Sequence, residues 1–189
     1  MMKKMQIDLA KLGRLGTVLH YIGVAVEYFI VIFLAVWLNN VLKIPSLFSF
    51  PLRAFGFVLT AFGLFLIVWC SWLQFTVGQG TTGFSEPTRK LVACGPYGIV
   101  RNPMMYGQFL VFAGLGLLLD LGAMFLLLPI VILATHGFIV FIEEPDLKRR
   151  FGQEWVDYTK RVPRWFPRLT RTRSKNKCKL IIDALAGVT

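Results

Sequence analysis

The chain has 189 residues, 56% of them hydrophobic and 16% charged, and a formal net charge of +11. A soluble domain carries about 25% charged and 45–50% apolar residues, and a domain this small cannot hide such an apolar surplus from water. The same balance excludes a disordered chain, and Cys70, Cys94 and Cys178 are not the even, closely spaced set of a disulfide-framed module. What remains is one all-α integral membrane domain, residues 1–189, with basic surfaces.

In chain order, Lys3, Lys4, Lys11 and Arg14 precede the first apolar segment, Leu15–Leu38, whose one charge is Glu27. Its apolar stretch exceeds the roughly 7–15 residues of a cleavable signal, so it is expected to remain as a span. The second span is 54–75, with no charge. A helix rises about 1.5 Å per residue, so such segments reach about 33 Å and cross a hydrocarbon core of about 30 Å.

The loop 76–102 is long and rich in turn formers. Loops of this length in compact proteins are usually functional. Gly78-Gln79-Gly80-Thr81-Thr82-Gly83 fits G-x-G-x-x-G, but the dinucleotide fingerprint needs a preceding strand and a βαβ unit, and here a membrane span precedes it. A hinge or turn is the alternative.

Segments 103–119 and 121–142 are uncharged and separated by Asp120. They are expected to form a helical hairpin turning at Asp120-Leu121-Gly122; the alternative is one buried, broken helix. Segment 143–169 follows as an amphipathic cytoplasmic segment. In it Pro145 suits a first helical turn, and Leu147, Phe151, Trp155, Tyr158 and Val162 recur on one face of a helix expected to run to about Val162. Trp165 and Phe166, among arginines, look interfacial. The tail 170–189 is basic.

Of the 21 Lys and Arg residues, all but Lys43 and Arg53 fall on one side of these spans. The positive-inside rule places that side, with both termini and the 76–102 loop, in the cytoplasm. The cations are accounted for by orientation and by contact with the lipid bilayer, so no nucleic-acid partner is expected. The oligomeric state is open.

Two features carry chemistry. One is Gly95-Pro96-Tyr97-Gly98-Ile99-Val100-Arg101-Asn102-Pro103-Met104-Met105-Tyr106-Gly107, where the loop enters the third span. The other is Glu143-Glu144, where the fourth span leaves. A hairpin from 103 to 142 starts and ends at one membrane face, so both converge there. Ionisable groups at such a place are costly unless paired or useful. In the bland alternative, Arg101 pairs with Glu143 or Glu144 and pins the hairpin.

From Gly78 to about Leu169, these motifs resemble the isoprenylcysteine carboxyl methyltransferase and phospholipid methyltransferase superfamily. They are the G-P-Y, R-x-P and glycine elements, the Glu-Glu pair, and then Phe151-Gly152-Gln153-Glu154-Trp155 with Tyr158. The resemblance implies a membrane-embedded methyltransferase using S-adenosylmethionine. Its cofactor would be held by Lys90, Leu91, Val92, Tyr97, Asn102, Pro103, Met104, Met105 and Glu143, with Arg101, Gly107 and Glu144 at further characteristic positions. No metal is implied and no catalytic base is assigned. Asn102 replaces the usual histidine, Met105 the usual tyrosine, and Ile139 an arginine that contacts substrate in prenylcysteine enzymes. The last departure bears on a prenylcysteine acceptor more than on the cofactor.

Under that resemblance, Glu143 and Glu144 would bind the cofactor's ammonium or ribose by charge-assisted hydrogen bonds. Tyr97, Tyr106 and Trp155 would offer faces to adenine or sulfonium, with interfacial packing the alternative for Tyr106 and Trp155. Glu27 is expected to face the bundle, with a substrate role the alternative, and His136 to hydrogen-bond another helix, with a catalytic base the alternative. The acceptor is lipophilic: a prenylcysteine carboxylate, a phospholipid amine or a small thiol. The competing reading is a non-enzymatic membrane carrier or assembly factor that keeps the scaffold.

Overall fold

The computed structural model describes residues 2–81 and 87–167. Gly83 of the glycine-rich stretch and the basic tail 170–189 lie outside the described residues. The elements are α1 (Met2–Val41), α2 (Phe50–Thr76), a 3-10 turn (Gly95–Gly98), α3 (Pro103–Leu118), α4 (Gly122–Phe138), a π turn (Ile139–Glu143), α5 (Glu144–Phe151) and α6 (Gln153–Arg161). Among the described residues there is no strand, only an isolated bridge between Thr81 and Pro87. The all-α expectation holds, and the G-x-G-x-x-G match has no βαβ unit around it.

Among the described residues, three stretches are long and apolar enough to cross a membrane: Tyr21–Val41 within α1, Phe50–Thr76 and Gly122–Phe151; Pro103–Leu118 is a shorter apolar helix. Phe29, Phe57, Val68, Ile130 and Leu133 are exposed on them, an apolar surface suited to lipid rather than water. The 16 residues of α3 reach only about 24 Å. It lies along α2, and small residues let the two backbones meet. A Cβ on Gly63 would stand 2.6 Å from the Gly107 carbonyl oxygen, and one on Gly56 would stand 2.7 Å from that of Gly114. Close backbone approach over glycines is a common way to pack membrane helices.

The hairpin turns at Asp120, as expected, with φ +56. Its carboxylate accepts hydrogen bonds from Ser46 Oγ and from the Leu47 and Phe48 amides, and Arg53 stands 3.5 Å away. One acidic residue thus ties the α1–α2 loop, the start of α2 and the α3–α4 turn together. Beyond them, Ala35, Phe112, Leu121, Met124 and Leu127 form the core shared by α1, α3 and α4.

Two expectations need correction. The helix that carries the fourth span does not stop at Ile142: α4 runs without a break through the π turn into α5. The 30 residues of Gly122–Phe151 reach about 45 Å, well beyond a hydrocarbon core of about 30 Å. The uncharged part ends at Ile142, and the charges of this continuous helix begin at Glu143. The π turn has a local cause. Pro145 has no N–H to give the helix, and its ring crowds the carbonyl four residues earlier, at Phe141; a wider turn relieves both. Such turns occur often at functional sites. The second correction is that the helix expected to continue to Val162 is split at Gly152, whose φ is +52, a backbone state that glycine adopts without strain. The apolar face still converges: Trp155, Tyr158 and Val162 pack with Leu147, Phe151, Leu91 and Ala93.

Candidate functional site

The loop that follows α2 is folded back on the end of that helix. The Arg89 and Lys90 amides both donate to the Gly78 carbonyl, at 2.8 and 3.0 Å. A Cβ on Gly80 would stand 2.6 Å from the Thr88 Cα, so this glycine lets the returning strand of loop lie against 78–81. Val92, Cys94 and Tyr97 then bury themselves against Cys70, Leu73 and Val77 of α2. The glycine-rich stretch is a packed turn in its described part, closer to the turn alternative than to a phosphate loop.

The 3-10 turn is locked from both sides. Gln74 Nε2 donates to the Tyr97 hydroxyl at 2.5 Å, and the Tyr158 hydroxyl donates to the Tyr97 carbonyl at 2.7 Å. Burial raises the Tyr97 and Tyr158 phenols above their ordinary range, so both stay neutral. The segment after α6 straps across the start of α3. The Arg101 amide donates to the Pro163 carbonyl at 2.9 Å, and the Tyr106 hydroxyl donates to the Trp165 carbonyl at 2.8 Å. Trp165 Nε1 donates to His136 Nδ1 at 2.9 Å. His136 therefore has the hydrogen-bond role expected of it, toward this strap rather than toward another helix.

These elements enclose a cavity of about 590 Å³, within the range of about 300–1,000 Å³ typical of small-molecule sites. Of the residues nominated from sequence, Leu91, Val92, Tyr97, Arg101, Asn102, Met104, Met105 and Glu143 line it. Four do not. Lys90 is exposed beside it, Pro103 is buried as the first residue of α3, Gly107 packs on Gly63 and Ile67, and Glu144 is engaged elsewhere. Trp155 lines the cavity as well as packing in its cluster, whereas Tyr106 meets Trp165 edge to face outside it.

The two adjacent glutamates have separate jobs. Glu144 accepts from Arg101 Nη1 at 2.8 Å and from Arg164 Nε and Nη2 at 2.8 and 2.7 Å. This is the hairpin pin foreseen for one of the pair. Glu143 faces the cavity and makes no hydrogen bond or salt bridge among the described residues. Its carboxyl is pushed up to about 7, first by burial and then by the negative charge of Glu144, with Arg150 opposing. Arg101, whose guanidinium lies 5.8 Å from the Trp155 ring centre, keeps a buried Nε with no hydrogen-bond partner among the described residues.

Sequence reasoning missed the other cavity residues, among them Ser71, Gln74, Thr81, Thr88, Gln108, Asp146 and Arg150, and left Glu27 undecided. A sequence signal existed for Glu27 and Gln108, which are polar groups inside otherwise apolar spans. Asp146 and Arg150 pair at 2.7 Å, and the Arg150 side chain also donates to the Thr88 carbonyl at 3.0 Å, joining α5 to the loop.

Residues 52–154 match a family described as phospholipid methyltransferase. The chain is 31% identical over 87 residues to the nickel-cobalt-cadmium resistance protein NccN of Alcaligenes xylosoxydans xylosoxydans, covering 46% of this chain and 40% of that protein. The chain thus spans well under two thirds of that relative's length. No solved structure matches.

Proposed function

The chain belongs to the phospholipid methyltransferase family, and from that premise we propose that it is an S-adenosylmethionine-dependent methyltransferase acting at the membrane face on a lipophilic acceptor. The observation that bears most of this reading is Glu143: a half-buried carboxyl with no hydrogen bond or salt bridge among the described residues, facing a cavity of cofactor size between the G-P-Y turn and the end of the last span.

The lining fits the cofactor's chemistry. A sulfonium and an ammonium call for a carboxylate and aromatic faces, which Glu143, Tyr97 and Trp155 supply. A cofactor carboxylate calls for a donor, and the orphaned Nε of Arg101 is one. Met104, Met105, Leu91 and Val92 offer apolar surface to adenine. When bound, S-adenosylmethionine supplies an activated methyl group on a good leaving group. The chain's own residues then hold and orient both partners and exclude water, which is where most of the rate for a displacement of this type comes from. Glu144 acts through Arg101 by fixing its guanidinium. The cavity runs from the cytoplasmic loop to residues inside the spans, so a lipophilic acceptor would enter from the bilayer and the cofactor from the cytoplasm. Both termini are proposed to lie on that cytoplasmic side.

The test is methyl transfer from tritiated S-adenosylmethionine, by purified protein in lipid nanodiscs, into phospholipids, prenylcysteine analogues and small thiols. Incorporation into one of these is expected. No incorporation together with no cofactor binding would favour the non-enzymatic carrier or assembly reading.

A further inference from the structure

The segment that follows α6 lies deeper along the spans than its charged neighbours suggest, and two rulers give its depth. Trp165 Nε1 bonds to His136, which lies six residues before Ile142, the last residue of the uncharged stretch of that helix. The Trp165 ring centre also lies 6.0 Å from that of Phe109, six residues after Pro103, where α3 begins. At about 1.5 Å per residue, each ruler puts Trp165 about 9 Å inside an apolar stretch. Helix α6 ends at Arg161, so the chain reaches this depth as irregular backbone.

Irregular backbone is tolerated among acyl chains only where protein groups meet its polar atoms. Three successive carbonyls are met in that way by the residues that open α3. The Pro163 carbonyl accepts from the Arg101 amide, the Arg164 carbonyl from Asn102 Nδ2 at 3.4 Å, and the Trp165 carbonyl from the Tyr106 hydroxyl. Pro163 and Pro167 have no N–H to satisfy. The indole N–H goes to His136, and the Arg164 guanidinium is held by Glu144. A strap lying in water could leave all of these groups to solvent. Phe166 is the opposite case: its ring is 83% exposed, which is costly in water and ordinary against lipid. Phe141, at the uncharged end of the helix that Trp165 meets, is exposed as well.

We infer that residues 163–167 form a re-entrant strap seated in the bilayer, with phospholipid acyl chains around Phe166, and that this seating positions Arg101. The strap grips Arg101 twice: directly at its amide, and through Arg164 and Glu144 at its guanidinium. Arg101 lines the cavity, and residues 163–167 do not, so Phe166 acts on the site only through Arg101. Phe166 is thus a positioning residue, and the cofactor site is complete only when the strap is in lipid. That last consequence rests on the methyltransferase reading; the seating itself does not.

The test uses the full chain in phosphatidylcholine nanodiscs, with the photo-crosslinker p-benzoylphenylalanine placed at Phe166, at Phe29 in the first span, or at Glu154 on α6. Lipid adducts at 166 are expected to match those at 29 and to exceed those at 154. Hydrogen exchange of the Arg101 amide reads the coupling: Phe166→Asp is expected to speed it about tenfold or more, and Phe166→Leu to leave it unchanged. S-adenosylmethionine affinity is expected to fall about tenfold in Phe166→Asp and to stay at the wild-type value in Phe166→Leu. Phe166→Gln gives the same direction of change should the aspartate variant not be recovered folded. Adducts at 166 no more frequent than at 154 would overturn the seating. Arg101 exchange that is unchanged in both polar variants, or equally fast in Phe166→Leu, would overturn the coupling. No cofactor binding by the wild type, with adducts and exchange as expected, would instead overturn the methyltransferase reading alone.

Discussion

At the residue scale, the pair Glu143–Glu144 shows how one helical step separates a structural role from a chemical one. Glu144 is committed to Arg101 and Arg164. Burial lowers the Arg101 pKa, so losing its carboxylate leaves a poorly solvated cation. Glu144→Gln is expected to destabilise the chain by about 2–3 kcal/mol, below the full cost of a broken buried pair because Arg164 is partly solvated; reversible unfolding in mixed micelles measures it. Glu143 behaves in the opposite way. Its carboxyl titrates near 7 in the folded chain against an ordinary 4.5. Between those values the folded chain keeps a proton that the unfolded chain has lost, so stability falls as pH rises through that window. The melting temperature of cofactor-free protein is therefore expected to drop from pH 4.5 to 7, and Glu143→Gln to remove that share of the drop. Asp120 and Asp157, both held below their ordinary 3.8, act only at lower pH. Cofactor binding needs the ionised form of Glu143, so affinity should rise about tenfold from pH 6 to 8. A titration series on wild type and Glu143→Gln separates the two, since the variant should be flat.

At the element scale, the spans were legible because apolar runs of about 17–24 residues with at most one charge match the thickness of a bilayer. The hairpin was legible because Asp120 interrupts two such runs. The continuous α4–α5 rod was not legible. Pro145 reads as a helix start, and nothing local says that a π turn will absorb it instead. Gly152 was hidden for a related reason: the apolar spacing from Leu147 to Val162 is the same whether the helix is whole or jointed. The α2–α3 contact depends on glycines whose neighbours sequence alone cannot name. Gly107→Ala would place a Cβ 2.7 Å from Ile67 Cγ1 and 2.8 Å from the Gly63 carbonyl oxygen. It is expected to cost about 2 kcal/mol by forcing the two helices apart, seen as a lower melting temperature. Met104 and Met105 begin α3, so a loss of cofactor affinity should accompany it.

For the whole molecule, the site is legible in outline because its motifs sit at the ends of the apolar spans. Its inner half is not, because Glu27, Ser71, Gln108 and Thr135 come from four helices and share no motif. The loop and Glu143 can meet only if both termini lie on one side of the membrane. Cysteine labels or fused reporters at Met1 and Thr189 are expected to be cytoplasmic, and a terminus found outside would separate the loop from Glu143. The most direct measurement is calorimetric titration of S-adenosylmethionine into purified wild type and Glu143→Gln at pH 8. Saturable binding to the wild type is expected, and binding about tenfold weaker or more to the equally folded variant. No heat with the wild type at millimolar cofactor, or equal affinity in the two proteins, would contradict it.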